Sequence, residues 1–170
     1  MTRLHLVRHG RPLPIQGVPA DAWDLDPAGF DEVWALRGRL PTDATWYSSP
    51  EPKAVATAQL LTEGEVGIVE GLREHVRDST EWIEDFPAVV RRAFAESDLT
   101  AHPGWEPLSA CRDRVLRSAG GILEAHAGED VVMVGHGTAW TLLAAEVTGQ
   151  APDLDRWATL QMPDVIVVDE

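Results

Sequence analysis

Two histidines with the same local setting are the clearest chemical signal in the sequence. One stands in Arg8-His9-Gly10 after an apolar run, and the other in His136-Gly137 after another apolar run. A neutral imidazole can act as a nucleophile near neutral pH, and a guanidinium matches the geometry of phosphate oxygens. The glycine that follows His9 would let a ligand approach the backbone closely. One such histidine is equally well explained as a hydrogen-bonded turn residue, but two favour an anion pocket that contains a nucleophile.

The elements around these histidines alternate between strands and helices. Apolar patterning predicts strands at Leu4–Val7, Thr45–Tyr47, Val66–Val69, Val131–Val134, Trp157–Leu160 and Val165–Val168, the last two forming a hairpin around Pro163-Asp164. Helices are predicted over Pro27–Leu40 (Phe30, Val33, Trp34 and Leu40 on one face), Pro50 to about Leu61, Leu108–His126 and Thr138–Val147. This order predicts an α/β fold, a three-layer α/β/α sandwich with a mostly parallel central sheet. Ligands of such sheets bind at the carboxyl ends of central strands, where both histidines fall.

Length and charge limit the classes of partner. The 170 residues are predicted to form one domain, residues 1–170. With 14 basic and 28 acidic residues the net charge is −14, which argues against nucleic-acid and anionic-membrane partners. Cys111 is the only cysteine, so an intrachain disulfide is impossible. We find no secretory segment and no run of about 18 apolar residues, so we expect a cytoplasmic protein. The sequence does not predict the oligomeric state.

Further motifs lie between the two histidines in a fixed order. They are Leu25-Asp26-Pro27-Ala28-Gly29, Tyr47-Ser48-Ser49-Pro50 with Ala54 and Thr57-Ala58, Leu72-Arg73-Glu74, and Pro103-Gly104-Trp105-Glu106. Together with Arg8-His9-Gly10 and His136-Gly137, this series resembles the histidine phosphatase superfamily, in its phosphoglycerate mutase-like branch. The resemblance runs from about Leu4 to Val168 and implies a phosphoglycerate mutase-like fold.

The resemblance implies a role for each matching residue. His9 would be the nucleophile, with its second ring nitrogen held by a backbone carbonyl. Arg8 would bind the phosphoryl oxygens, and His136 would donate to them from the opposite side, ideally as an imidazolium. Glu74 would protonate the leaving oxygen and then activate water. Because side-chain cations would neutralise the phosphate, the resemblance implies no metal and no cofactor.

Three positions depart from the family pattern. Lys53 stands where a second phosphate-binding arginine is usual, and is either a phosphate ligand without the guanidinium fork or a solvated helix residue. Arg11 either adds a cation at the pocket mouth, as a further phosphate ligand, or lies in solvent. The chain after Glu74 also differs from the pattern, so three neighbouring acids remain alternative proton donors. These acids are Asp78, Glu81 and Glu84.

The sequence therefore predicts a metal-independent phosphomonoesterase, a phosphoric monoester hydrolase, that acts through phosphohistidine on a small phosphorylated metabolite. A mutase is less favoured, because the family's mutases generally have longer chains. The alternative is a catalytically degenerate member that binds a phosphorylated ligand or a partner protein without turnover. The presence of Arg8, His9 and His136 argues against that alternative. Trp82 and Trp105 are candidates for substrate contact, and the natural substrate stays open.

Overall fold

One five-stranded sheet forms the centre of the protein. The computed structural model describes residues 3–169. Its strands are β1 (Arg3–Arg8), β2 (Thr45–Ser48), β3 (Val66–Ile68), β4 (Val131–Gly135) and β5 (Asp164–Asp169). They lie in the order β3-β2-β4-β1-β5, and β5 runs antiparallel to β1 while the other pairs are parallel. The predicted mostly parallel sheet is confirmed.

Within the described residues, six α-helices connect and cover the strands. They are α1 (Phe30–Ala35), α2 (Pro52–Leu61), α3 (Phe86–Ala95), α4 (Leu108–Ala125), α5 (Gly137–Thr148) and α6 (Leu154–Thr159). Short 3₁₀ segments occur at Ala20–Ala22, Pro27–Gly29, Leu36–Arg39 and Glu70–Leu72. Over residues 3–169, none of the helices combines the length and the apolarity needed to cross a membrane.

Side chains alternate between the two faces of the sheet along the central strands, and this divides the core into two clusters. Leu6 and Met133 pack in one cluster with residues of α4 and α5. Val7 and Val134, their neighbours on β1 and β4, pack in the other cluster with residues of α1 and α2. Successive side chains of a strand point to opposite faces, so helices cover both faces of the sheet. The predicted three-layer α/β fold is confirmed.

The predicted carboxyl-terminal hairpin is wrong. Trp157–Leu160 is not a strand, because most of this segment belongs to α6. The side chain of Asp153 begins that helix by accepting a hydrogen bond from the N–H of Arg156 at 2.8 Å. Strand β5 pairs with β1 instead, through six residue pairs from Arg3↔Asp169 to Arg8↔Asp164. A distant strand therefore supplies the partner that local patterning assigned to a neighbouring segment.

The predicted helix over Pro27–Leu40 is divided into three parts, a 3₁₀ turn, α1 and a second 3₁₀ segment. Val33 and Leu40 are buried as expected. Phe30 and Trp34 are 39% and 53% exposed, so their assignment to the apolar face is wrong. The short α1 packs through a narrow stripe of side chains, and residues beside this stripe remain in solvent.

One helix begins later than predicted, and another helix was not predicted. Helix α2 begins at Pro52 and not at Pro50, although a proline still occupies its first turn. No helix is predicted for Phe86–Ala95, which forms α3. The signals for it are local: the Asp85 side chain accepts from the N–H of Ala88 at 3.2 Å, and proline follows in the first turn.

Candidate active site

Hydrogen bonds between adjacent strand ends bring the two histidines together. The N–H of His9 donates to the carbonyl of Gly135 at 2.9 Å, which joins the end of β1 to the end of β4. The N–H of Ser49 donates to the carbonyl of Val134 at 2.9 Å, which joins the end of β2 to the same strand. As a result, the ring centroids of His9 and His136 lie 5.4 Å apart. The predicted location at the carboxyl ends of central strands is the one observed.

His9 is held in one tautomer. Its Nδ1 lies 2.6 Å from the carbonyl of Gly10, and because a carbonyl only accepts, Nδ1 carries the proton. The Nε2 lone pair is then free to act as a nucleophile. Burial lowers the pKa of His9 to about 3; the hydrogen bond to Gly10 opposes this shift, and the charges of Lys53 and Arg8 add to it. The ring is therefore neutral near pH 7.

The loop that carries His9 is fixed to helix α2. The N–H of Gly10 donates to Thr57 Oγ1 at 3.0 Å, and that hydroxyl donates to the carbonyl of Lys53 at 2.7 Å. A Cβ on Gly10 would lie 2.5 Å from Val33 Cγ2 and 2.9 Å from Leu25 Cδ1. The space that the sequence suggested for a ligand is thus filled by core side chains. Glycine is required here by the close approach of α1.

Arg8 presents a partly unpaired guanidinium beside His9. Its Nη1 donates to the carbonyl of Leu160 at 2.8 Å, while its buried Nε has no hydrogen-bond partner within residues 3–169. The same guanidinium lies against the first turn of α5, because a Cβ on Gly137 would be 3.3 Å from Arg8 Nε. A buried N–H without an acceptor is costly, so this group is suited to an anionic ligand.

His136 is almost completely buried, with 1% of its surface exposed. Its Nε2 lies 2.7 Å from Ser49 Oγ and 3.5 Å from Glu51 Oε2, while its buried Nδ1 has no partner in the described part of the chain. Burial lowers the pKa of His136 well below its usual value, and the nearby His9 and Lys53 lower it further. The expected imidazolium therefore requires the added negative charge of a bound anion.

Lys53 forms a buried ion pair that the sequence did not predict. Its Nζ donates to Glu51 Oε2 and to the carbonyl of Ala20, each at 2.6 Å. The two charged side chains are only 6% and 3% exposed, so the alternative of a solvated lysine is wrong. Burial raises the pKa of Glu51, and the Lys53 charge opposes this shift. The available signal was two opposite charges inside the otherwise small and apolar Pro50–Ala54 segment.

Replacing one partner of this pair is expected to destabilise the protein more than replacing both partners. Lys53→Met leaves the Glu51 carboxylate buried without its ammonium partner, and we expect unfolding free energy to fall by about 3–5 kcal/mol. The double variant Glu51→Leu/Lys53→Met should recover most of this loss, because no charge then remains unpaired. Urea unfolding of both single variants and the double variant measures the coupling.

The exposed Arg112–Glu146 pair provides the control for that experiment. Its two side chains are 49% and 52% exposed, and Arg112→Met is expected to cost less than about 1 kcal/mol. Additive losses at Glu51 and Lys53, with no recovery in the double variant, would contradict the buried-pair interpretation.

Glu74 lies inside the site, at the N-terminus of α5. Its Oε2 accepts from the N–H of Thr138 at 3.0 Å, and its Oε1 accepts from the N–H groups of Ala139 and His75, both at 2.9 Å. Burial is the largest influence on the pKa of Glu74 and would raise it. The Arg77 charge and the three N–H groups together outweigh burial, so the pKa is lowered. The carboxylate is therefore ionised at neutral pH.

The other acids suggested by the sequence lie on the surface. Asp78, Glu81 and Glu84 are all exposed, and Glu81 lies 3.9 Å from the ring of His102. Arg11 is also exposed; it pairs with a surface carboxylate, Glu32, at 3.2 Å. None of these four side chains joins the buried group around His9.

The two tryptophans named as substrate contacts have opposite environments. Trp82 is 92% exposed, whereas Trp105 is 4% exposed and belongs to the core. Trp105 packs against His75 with ring centroids 5.3 Å apart, and the guanidinium carbon of Arg77 lies 4.9 Å above its ring. Arg77 was missed because it stands outside every motif in the sequence. The weak signal was a cation three residues after Glu74.

Comparisons with known proteins bear on the family and the fold of the chain. The model of the histidine phosphatase superfamily (branch 1) matches residues 4–169. The chain belongs to the histidine phosphatase superfamily. Its fold is shared by YhfR of Bacillus stearothermophilus, with a TM-score of 0.76 and 23% identity over 99% of this chain and 91% of that chain.

Two structures of phosphatases in the same fold are also similar. The Entamoeba histolytica phosphoserine phosphatase, a variant in complex with phosphoserine, has a TM-score of 0.74 and 20% identity over 98% of this chain and 90% of that chain. A mycobacterial glucosyl-3-phosphoglycerate phosphatase has a TM-score of 0.73 and 20% identity, over 97% and 88%. A search of curated proteins finds no match.

This histidine phosphatase superfamily member brings together groups suited to phosphoryl chemistry. They are a neutral imidazole with a free Nε2, guanidinium groups with unpaired N–H donors, and an ionised carboxylate at a helix N-terminus. In the part of the chain that the structure describes, no group of three or more His, Cys, Asp or Glu side chains is arranged to hold a metal ion.

Proposed function

We propose that the protein is a metal-independent phosphomonoesterase that acts through a phosphohistidine on a small phosphorylated metabolite. One observation carries the proposal. His9 is neutral, its Nδ1 proton is held by the Gly10 carbonyl at 2.6 Å, and its free Nε2 lies beside Arg8 and His136. A nucleophile fixed next to donors for phosphoryl oxygens is the requirement of covalent phosphoryl transfer.

In the first step, His9 Nε2 attacks phosphorus while the bond from phosphorus to the leaving oxygen breaks. Arg8 and His136 donate to the non-bridging phosphoryl oxygens, over which the negative charge is spread. Glu74 gives a proton to the leaving oxygen, which departs as an alcohol. A phosphoryl dianion beside Glu74 raises the pKa of that carboxyl, so substrate binding favours the protonated form that donation requires.

In the second step, water replaces the alcohol and Glu74 acts as the base. The carboxylate takes one proton from the water as its oxygen attacks phosphorus. The bond between phosphorus and Nε2 breaks, inorganic phosphate forms, and His9 returns to its neutral tautomer. The Glu74 proton is then available for the next substrate, so the cycle is balanced without an external acid or base.

Hydrolysis of a panel of phosphomonoesters tests this proposal. The panel contains an aryl phosphate, phosphoserine and 3-phosphoglycerate, since solved relatives are named for phosphoserine and glucosyl-3-phosphoglycerate. We expect phosphate release between pH 5 and 8, unchanged after exhaustive chelation, because side-chain cations supply the charge. Loss of activity on chelation, restored by one divalent ion, would refute metal independence. Phosphate binding without turnover of any ester would favour the degenerate, non-catalytic alternative.

A further inference from the structure

We infer that Arg77 binds the phosphoryl group and supplies the second guanidinium of the site. Lys53 occupies the position where the family pattern has an arginine, but its charge is held by Glu51. The inference rests on the proposed phosphoryl transfer at His9. It adds a phosphate-binding residue that lies outside every motif matched to the family.

Arg77 is placed beside His136 by helix α5. Its Nη2 donates to Thr138 Oγ1 at 3.0 Å, and Thr138 is the second residue of α5, directly after His136-Gly137. The central carbon of the guanidinium lies 4.9 Å from the ring centroids of both Phe86 and Trp105, so two aromatic rings pack against this group. Aromatic rings hold a guanidinium in one orientation and leave its edge free for an anion.

The charge of Arg77 is not neutralised by a direct ion pair. Among residues 3–169, no carboxylate oxygen lies within 4.0 Å of its guanidinium, and its buried Nε has no hydrogen-bond partner. By contrast, Arg114 pairs with Glu106 at 2.6 Å and Arg112 pairs with Glu146 at 2.9 Å. Acidic residues outnumber basic ones by 28 to 14, so a half-buried arginine without a direct ion pair requires an explanation.

Three nitrogen-bearing side chains meet at three consecutive residues of the chain, His136, Gly137 and Thr138. Nδ1 of His136 is buried without a partner, Arg8 Nε lies against Gly137, and Arg77 is bonded to Thr138. The N-terminus of α5 adds its own positive dipole at this point. Glu74 supplies one negative charge here through its bonds to the N–H groups of α5. A second carboxylate that acts on Arg8, Asp164, also lies 3.8 Å from Arg39. Glu74 alone does not neutralise Arg8 and Arg77, so the cluster has a positive excess that fits a phosphoryl dianion.

Lys53 is a weaker candidate for the same task. An ammonium has three N–H donors, and two of those of Lys53 are directed to Glu51 and to the carbonyl of Ala20. Its charge is compensated by Glu51, whereas among residues 3–169 the nearest carboxylate to Arg77 is beyond ion-pair distance. The two directed hydrogen bonds of a guanidinium fork are therefore available from Arg77 and not from Lys53.

The test measures binding of inorganic phosphate by titration calorimetry, with vanadate inhibition as a second readout. Arg77→Met is expected to weaken phosphate binding roughly 10- to 150-fold, the effect of losing a charge-assisted hydrogen bond. Arg77→Lys should recover only part of the affinity, because the ammonium lacks the fork. Arg156→Met is the matched control; it removes an equal charge from an arginine that donates to the Val165 carbonyl outside the site.

Each outcome decides the proposal. Phosphate affinity within twofold of the parent in both folded Arg77 variants would overturn it, as would an equal loss in Arg156→Met. If the Arg77 variants bind a carboxylate-bearing substrate more weakly but bind phosphate as well as the parent, Arg77 binds the carboxylate and the proposed phosphoryl contact is wrong. If Arg77→Met does not fold, Arg77→Lys with full phosphate affinity still contradicts the inference.

A different result would refute the proposed function without refuting the role of Arg77. A parent protein that binds phosphate but hydrolyses no phosphomonoester would refute the enzyme, while the Arg77 variants would still report on phosphate binding. A parent protein that binds no phosphate at millimolar concentration would refute both.

Discussion

His9→Ala is expected to abolish phosphomonoester hydrolysis, with kcat/KM lowered by at least about 10⁴-fold, as is typical when a covalent nucleophile is removed. The variant loses the ring whose Nδ1 proton is fixed by the Gly10 carbonyl and which lies beside His136. His136 does not replace it, because as an imidazolium donating to the bound phosphate it has no lone pair with which to attack phosphorus. Arg8 would still donate hydrogen bonds to the oxygens of a bound phosphate, so phosphate binding should persist while hydrolysis is lost.

Trapping the intermediate measures this directly. Quenching the parent protein during turnover of phosphorus-labelled substrate should leave label that survives alkali and is lost in acid, the behaviour of a phosphoramidate. His102→Ala, which alters a histidine outside the site, should retain both activity and label. Label on a serine, or full activity in His9→Ala, would contradict the assignment of His9 as nucleophile.

The histidine pair was predictable because its signals are local. Each imidazole follows an apolar strand, and strands buried on both faces lie at the centre of a parallel sheet. The strand ends then meet at one edge of that sheet. The alternation of Leu6 and Val7 likewise predicts that helices cover both faces.

The charged neighbours of the histidines were harder to predict. Arg77 enters the site only because the chain after β3 folds over Trp105 and onto Thr138, and no local pattern encodes that contact. The same applies to β5, whose antiparallel partner β1 lies at the other end of the chain. Glu51 was also not predicted to be a site residue, although the sequence came closer to indicating it. It lies inside a recognised motif, yet only its burial beside Lys53 identifies it as part of the site.

Glu74→Gln is expected to slow hydrolysis of alkyl phosphates by about 10²–10⁴-fold, the usual contribution of a general acid and base. An alkoxide is a poor leaving group, so the first step needs the Glu74 proton. An aryl phosphate needs little protonation, and its first step should be nearly unaffected. The second step still needs a base to activate water, so labelled phosphohistidine should accumulate from the aryl substrate.

The pH profile provides a second readout of the same group. The pKa of Glu74 is lowered, so in the free protein its protonated form becomes scarcer as pH rises through the neutral range. Alkyl phosphate hydrolysis by the parent should therefore decline with rising pH more steeply than aryl phosphate hydrolysis. In Glu74→Gln this difference in slope should disappear, because the side chain no longer titrates.

Two carboxylates serve as controls for that measurement. Glu81→Gln, on the surface, should match the parent in rate and profile. Glu51→Gln changes a buried carboxyl whose pKa is raised and whose Oε2 lies 3.5 Å from His136 Nε2. It should lower the stability of the protein by weakening the ion pair with Lys53, without making the rate depend on the leaving group. If Glu51→Gln, and not Glu74→Gln, separates alkyl from aryl substrates, the proton donor is Glu51, and the carboxylate at the N-terminus of α5 serves only to position that helix.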